Sequence, residues 1–363
     1  ATLLTLSAEK YPHIPALVCG AKVPSFSPLS FSQLDQLVDQ ASKELLLSKI
    51  KSGDKALLFV NPGPGLIIWA FALFRIGAIP VVIDPGMGIR SLLSCIQRTQ
   101  PEAMVGISKA FWISRLLPRS FKSVRKRYLV RPGQYGGTTG DKMGQEEKPV
   151  DPDALAAIVF TSGSTGAPKG VRYLHRTFDT QIQALKNTFG MMPGEIDLTT
   201  LPIFGLFNPA LGITSVLPEI NPRKPASANP EKLVHALTHH KITTAFASPV
   251  IGKKIVYAST KNGNSFPDIK RFFLAGAPIS PDLAQGLQQV LPNGEVIVPY
   301  GATEALPVSS TNASHIRNAR ESILAGEGSL IGSPLPEVKV RILPSVQSPL
   351  PDYEQGNPGL PDG

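Results

Sequence analysis

Residues 161–170, TSGSTGAPKG, set glycines at 163, 166 and 170 among the hydroxyls of Thr161, Ser162, Ser164 and Thr165, with Lys169 near the end. Glycines allow several backbone N–H groups to converge on one anion. The hydroxyls add donors and the lysine adds a point charge, so the chemistry these residues allow is the holding of phosphate. The order is not that of a Walker loop, in which lysine follows glycine, precedes Ser or Thr and opens a helix. Here Lys169 follows Pro168 and precedes Gly170. Pro168 biases Ala167 away from helical angles, and VRYLH (171–175) reads as extended. A hairpin joining two strand-like segments is expected.

Two further stretches carry groups that could meet such a ligand. YGATE (300–304) places the flat ring of Tyr300 beside the open backbone of Gly301, then Ala302, the hydroxyl of Thr303 and the carboxylate of Glu304. PIFGLFNPALG (202–212) offers apolar wall in Phe204, Leu206 and Phe207 and space at Gly205. An aliphatic ligand fits these residues, and so does a plain buried core.

The elements that must position them alternate. KALLFVN (55–61) reads as a buried strand, 66–76 as an apolar helix, IPVVID (79–84) as a strand, the stretch to about Gln97 as a helix and AMVGI (103–107) as a strand. A second block has strands at LAAIVFT (155–161), IDLTTL (196–201), ITTAFAS (242–248), IKRFFLAG (269–276) and EVIVPYG (295–301). Helices are expected over 208–216, 230–240, 249–259 and 281–291, with Pro230 and Pro281 in first-turn positions. This alternation predicts an α/β protein with crossover-connected parallel sheets, whose ligands gather at the carboxyl ends of the strands. Residues 132–153, rich in Gly, Pro and charge, read as a linker or mobile loop. From Leu330, LIGSPLPEVKVRIL reads as strands of another layer.

With 363 residues and 42% apolar residues, the chain can fill two domains of ordinary size or one large layered unit; a charged fraction of 17% argues against disorder. Cys19 and Cys95 cannot build a disulfide framework. Leu66–Phe74 is too short to span a bilayer, and the start, ATLLTLSAEKYPH, has no basic region before an apolar core. A cytoplasmic setting is expected, with peripheral membrane association left open. The net charge of +9 favours anionic partners without choosing among them.

TSGSTGAPKGV resembles the signature loop of the adenylate-forming enzymes: acyl-CoA synthetases, luciferases and nonribosomal adenylation domains. FLAGAP (273–278) and YGATE agree with it, and the resemblance covers nearly the whole chain. It implies two stacked α/β subdomains, the start of a small β-barrel, and the absence from this chain of the C-terminal domain. The implied division is an N-terminal segment (1–45) packing on the second subdomain, a first subdomain with the phosphate loop (46–200), a second subdomain (201–328) and the barrel start (329–363). ATP and Mg²⁺ are implied as cofactors. By resemblance, the backbone of Gly276, Ala277 and Pro278 lies against adenine and Tyr300 packs on it, Thr303 bonds the α-phosphate and Glu304 binds Mg²⁺. The physics agrees, since Mg²⁺ is usually held by one or two carboxylates plus substrate phosphates. Within the family, the texture around the Pro62–Gly88 stretch and YGATEALPVS looks most like the olefin-pathway β-lactone synthetases.

That likeness implies ATP-dependent adenylation of a long-chain, 2-alkyl-3-hydroxy fatty acid, followed by closure to a β-lactone. A fatty acyl-CoA ligase using CoA, and a non-catalytic binder of nucleotide or acyl chains, are the alternatives. Many relatives carry a histidine-rich stretch near 202–212; this chain has none there. His175 reads as structural, and His239–His240 as a helix end. Arg115, Arg119, Lys122, Arg125, Lys126, Arg127 and Arg131 form a basic run with no acid between, beside Phe111, Trp112 and Phe121. A solvated face, a patch for pathway enzymes, CoA phosphates or a membrane surface all fit it. No nucleic-acid module accompanies it. The ribose-binding aspartate and the catalytic lysine of the family's C-terminal domain have no candidate here.

Overall fold

The computed structural model describes residues 2–20, 27–131, 133, 135, 151–161, 168–201, 204–336 and 338–342. Most of the expected linker (132–153) and residues 162–167 of the glycine loop lie outside them.

The chain begins with α1 (Thr2–Lys10), β1 (Pro15–Cys19), β2 (Leu29–Ser30) and α2 (Phe31–Leu47). Ser30 caps α2 reciprocally: its hydroxyl accepts from the Gln33 N–H at 3.2 Å, and the Gln33 side chain accepts from the Ser30 N–H at 2.8 Å. Next come β3 (Lys55–Phe59), α3 (Pro64–Arg75), β4 (Ile79–Ile83), α4 (Ile89–Thr99), β5 (Ala103–Gly106), α5 (Ser108–Leu116) and β6 (Lys126–Leu129). Pro64 suits the first turn of α3. Apolar on nearly every side, α3 is correspondingly buried: Ile67, Ile68, Trp69 and Leu73 have no exposed surface. Each contributes about 1.5–3 kcal/mol of burial, and together they join α2 and β3 in one core.

β7 (Leu155–Thr161) and β8 (Lys169–Leu174) form the expected hairpin, antiparallel and closing with Thr161 opposite Lys169. The first sheet has the order β6-β5-β3-β4-β7-β8, parallel except for the last pair.

Then follow α6 (His175–Asn187), β9 (Ile196–Thr199), α7 (Asn208–Leu211), β10 (Thr214–Leu217), α8 (Pro230–His239), β11 (Thr244–Ala247), α9 (Pro249–Asn262), β12 (Arg271–Leu274), α10 (Pro281–Gln289), β13 (Glu295–Ala302), β14 (Ala305–Asn312) and β15 (Ser333–Pro334). The second sheet runs β15-β14-β13-β12-β11-β9-β10-β1-β2. Its strands from β13 across to β1 are all parallel, so their carboxyl ends share one edge. At the amino-terminal edge, Arg271 pairs with both oxygens of the buried Glu195 carboxylate.

The helix expected over 208–216 stops at Leu211. Gly212 takes a left-handed φ of +69° and caps it, and Thr214–Leu217 becomes a fully buried strand. A short apolar run with β-branched residues reads either way by periodicity, and the glycine decides it. Beyond Leu330, where another layer is expected, Ser333–Pro334 pairs with β14 at the outer edge of this same sheet.

Candidate active site

Three expected site segments leave the carboxyl ends of parallel strands of the second sheet. Residues 204–207 follow β9, residues 276–278 follow β12, and residues 300–304 close β13 into the turn before β14. Gly276, Ala277 and Pro278 are exposed, as are Ala302 and Glu304, and the Tyr300 ring is 49% exposed beside them. β12 and β13 are paired neighbours, so an edge-on ligand there meets open backbone from one and a ring from the other. Gly301 sits at a bulge between Tyr300 and Ala302, where an added Cβ would lie 2.6 Å from the Ala305 carbonyl oxygen. Only glycine permits so tight a return.

The hairpin of the first sheet reaches this turn. The Tyr173 hydroxyl on β8 donates to the Thr303 carbonyl at 2.5 Å, and Gln181 Nε2 on α6 donates to the Leu306 carbonyl at 2.9 Å. Burial pushes the Tyr173 phenol above its ordinary pKa; the Gln181 side chain partly opposes this, and the nearby Glu304 carboxylate adds to it. Tyr173 therefore stays protonated and remains a donor. Lys169 and Tyr173 are four residues apart on β8, which puts them on one face of the strand, about 13 Å apart along it. Lys169 is exposed and has no ion pair among the described residues. Arg98 on α4 steadies the loop's end by donating to the Pro168 carbonyl at 2.8 Å. Ser162, Gly163, Ser164, Thr165 and Gly166 lie outside the described residues, as does the side chain of Thr161.

The 204–207 segment joins the same assembly through rings. Tyr173 stacks on Phe178 with centroids 5.1 Å apart, and Phe178 meets Phe207 at 6.1 Å. Phe204 stacks on Phe246 of β11 at 4.1 Å. Gly205 does not supply the open space expected of it. It is buried, and a Cβ there would come within 3.2 Å of Thr199 Cγ2 and 3.3 Å of Ile67 Cδ1. Its value is close packing of the segment onto α3.

Beneath lies a polar cluster that sequence reasoning missed. Asp197 on β9 is wholly buried and accepts from Thr199 Oγ1 at 2.5 Å and from Asn208 Nδ2 at 2.9 Å; Asn208 also donates to Ser215 Oγ at 2.9 Å. The cluster pins the start of α7 and hence the 204–207 segment. Burial pushes the Asp197 carboxyl up to about 6, against its two hydrogen bonds. The unfolded chain releases this proton near 3.8 and the folded chain near 6. Between those values the folded state holds more protons, so stability falls as pH rises, by an amount on the order of 3 kcal/mol, complete above pH 6. Asp197→Asn removes this loss. Urea denaturation at pH 4 and pH 7 should show the variant gaining on the wild type by that amount at the higher pH.

His175 opens α6 half-buried, and its burial lowers its pKa. His239 ends α8. Neither has a hydrogen bond or ring contact with Lys169, Tyr173 or the 300–304 turn among the described residues. Among the described residues no three His, Cys, Asp or Glu side chains gather to hold a metal.

A family model described as AMP-binding enzyme matches residues 4–359. The chain belongs to the family of AMP-binding enzymes. The resemblance carried by TSGSTGAPKGV and YGATE is thereby borne out. The chain is 39% identical over 338 residues to the olefin β-lactone synthetase of Stenotrophomonas maltophilia, covering 90% of this chain and 60% of that protein. It is 38% identical over 335 residues to the olefin β-lactone synthetase of Xanthomonas campestris pv. campestris, covering 90% and 59%. The chain thus spans about 60% of the length of these AMP-binding relatives. Its fold matches that of a long-chain-fatty-acid-CoA ligase from Archaeoglobus fulgidus, with a TM-score of 0.73 over 92% of this chain and 68% of that one, at 19% identity. The two-sheet α/β fold is thus shared with a structure of widely divergent sequence.

Proposed function

We propose that the protein activates a long-chain 2-alkyl-3-hydroxy fatty acid with ATP and closes it to a β-lactone. The observation that carries this reading is the Tyr173–Thr303 contact, which joins the phosphate-loop hairpin to the turn bearing Glu304. The identities to the two olefin β-lactone synthetases support the choice of product.

In the first step a carboxylate oxygen of the acid attacks the α-phosphorus, and the bond from that phosphorus to the bridging oxygen breaks. Pyrophosphate leaves with its electron pair. By the family resemblance Lys169 and the glycine loop would neutralise that leaving group, and Thr303 would donate to the α-phosphate, where charge develops. In the second step the 3-hydroxyl oxygen attacks the acyl carbon. The acyl–oxygen bond to AMP breaks, AMP leaves as the phosphate anion, and the hydroxyl proton passes to water. Phe204 and Phe207 supply apolar wall for the alkyl chain.

A metal held by protein side chains alone does not suit one exposed carboxylate. A Mg²⁺ arriving with a polyphosphate does, because phosphate oxygens and water complete its shell. Glu304 would hold it, and its charge would stabilise the phosphates.

The test measures pyrophosphate release and organic products from the full-length gene product with ATP and a 2-alkyl-3-hydroxy acid. Pyrophosphate and a β-lactone are expected without CoA. A thioester formed only with CoA would reject the lactone in favour of a ligase. Absence of acid-dependent pyrophosphate would reject adenylation altogether, in favour of a binder.

A further inference from the structure

α5 presents an unusual face to solvent. Ala110 and Ser114 are buried, while Ser108, Lys109, Trp112, Arg115 and Leu116 face outward. Trp112 is 65% exposed and Leu116 is 74% exposed. One turn apart, they are neighbours on the helix surface. The chain then continues through Arg119, Lys122 and Arg125, all exposed, while Phe121 anchors that turn in the core. No Asp or Glu occurs between residues 103 and 131.

Part of the basic run is spent internally. Lys126 pairs with Asp54 at 2.5 Å, and Arg127 donates to Ser114 Oγ at 2.6 Å. Lys109, Arg115, Arg119, Lys122 and Arg125 have no ion pair among the described residues. The result is an exposed apolar pair, one of them an indole, in a segment whose exposed cations have no ion pair among the described residues. Tryptophan is at home at the water–lipid boundary, and a surface helix with basic flanks and Trp or Leu at its centre suits that boundary. Each Lys or Arg held near an anionic leaflet adds attraction. A nucleic acid would match the cations but leave Leu116 without a role.

We propose that this face, Trp112 and Leu116 with Arg115, Arg119 and Lys122, docks the protein onto an anionic lipid surface. The indole and the leucine enter the headgroup boundary while the cations stay among the headgroups. No helix among the described residues is long and apolar enough to cross a membrane, so the contact is a surface one. α5 leads into β6, the outer strand of the first sheet, and four strands separate β6 from the β8 hairpin strand. That is about 24 Å at the usual strand spacing, so docking through α5 leaves the β8 hairpin strand clear. The inference does not depend on which reaction the protein performs.

The chain carries its own probe. It has two tryptophans: Trp69 has no exposed surface, and Trp112 is largely exposed. The purified protein is mixed with sucrose-loaded phosphatidylcholine vesicles, either pure or containing about one third phosphatidylglycerol, a fraction that gives a strongly negative surface. Sedimentation with the anionic vesicles, weak sedimentation with the neutral ones, and a blue shift of the emission are expected. Because a net charge of +9 could draw the whole protein to such vesicles, the variants decide. Charge reversal at Arg115, Arg119 and Lys122 together should weaken binding roughly a hundredfold. Trp112→Ser with Leu116→Ser should weaken it roughly tenfold or more and abolish the blue shift. These side chains are exposed, so unchanged thermal melting is expected of both variants. Failure to bind anionic vesicles, binding without the blue shift, or wild-type binding by the charge-reversed protein overturns the proposal.

Discussion

Glu304→Gln is expected to lower acid-dependent pyrophosphate release by roughly a hundred- to a thousandfold, equivalent to about 3–4 kcal/mol of transition-state stabilisation. The side chain is exposed in the β13–β14 turn and has no ion pair among the described residues. Its replacement by an isosteric amide therefore removes no folding energy, and the melting temperature should not move. What is lost is the one negative charge that the turn presents where a phosphate-bound Mg²⁺ would lie. Tyr173→Phe is a useful contrast, because it keeps that charge and loosens only the tether to the Thr303 carbonyl. A single hydrogen bond of this kind is worth about 1 kcal/mol, so a drop of about fivefold to tenfold is expected there. Initial rates of pyrophosphate release at saturating ATP, with melting curves for each variant, check both. A Glu304→Gln protein with the wild-type rate would remove the residue from the site.

The contrast also marks what the sequence could and could not convey. The hairpin was legible because Pro168 and the extended VRYLH forbid a helix after the loop. The parallel sheets were legible because apolar strands alternate with helices ending in Gly or Pro turns. Both are local signals. The Tyr173–Thr303 hydrogen bond joins residues 130 positions apart, and nothing in the spacing of either stretch announces it. Tyr173 lies in an ordinary strand with no motif of its own.

The Asp197 cluster was hidden for a related reason. The sequence marks IDLTTL as a strand but announces no partner for Asp197, and only the packing of Asn208 against it makes it a buried acceptor. Gly205 misled in the opposite direction: a glycine among aromatics suggests a cavity, whereas here it lets two layers approach. Gly212 does carry a local signal, since a glycine before a β-branched run is a helix stop.

Lys169→Ala should also cost roughly a hundred- to a thousandfold in adenylation, but by a different route that kinetics can separate. Lys169 opens β8 directly opposite Thr161, is exposed, and follows the Pro168 that Arg98 holds. The strand position is thus fixed by neighbours that the substitution does not touch, and the hairpin survives it. Lys169 shares a face of β8 with Tyr173, and on the proposed reading its ammonium provides a positive charge for the departing pyrophosphate. If that charge acts mainly as the bond to the leaving group breaks, kcat falls and the KM for ATP changes little. If it only holds ground-state ATP, KM rises and kcat stays. The first pattern is expected. Lys169→Arg tests the geometry: a planar guanidinium keeps the charge but not the compact point donor, so partial recovery is expected from it. An alanine variant with unaltered kcat and KM would detach the glycine hairpin from the chemistry and overturn the role proposed for Lys169.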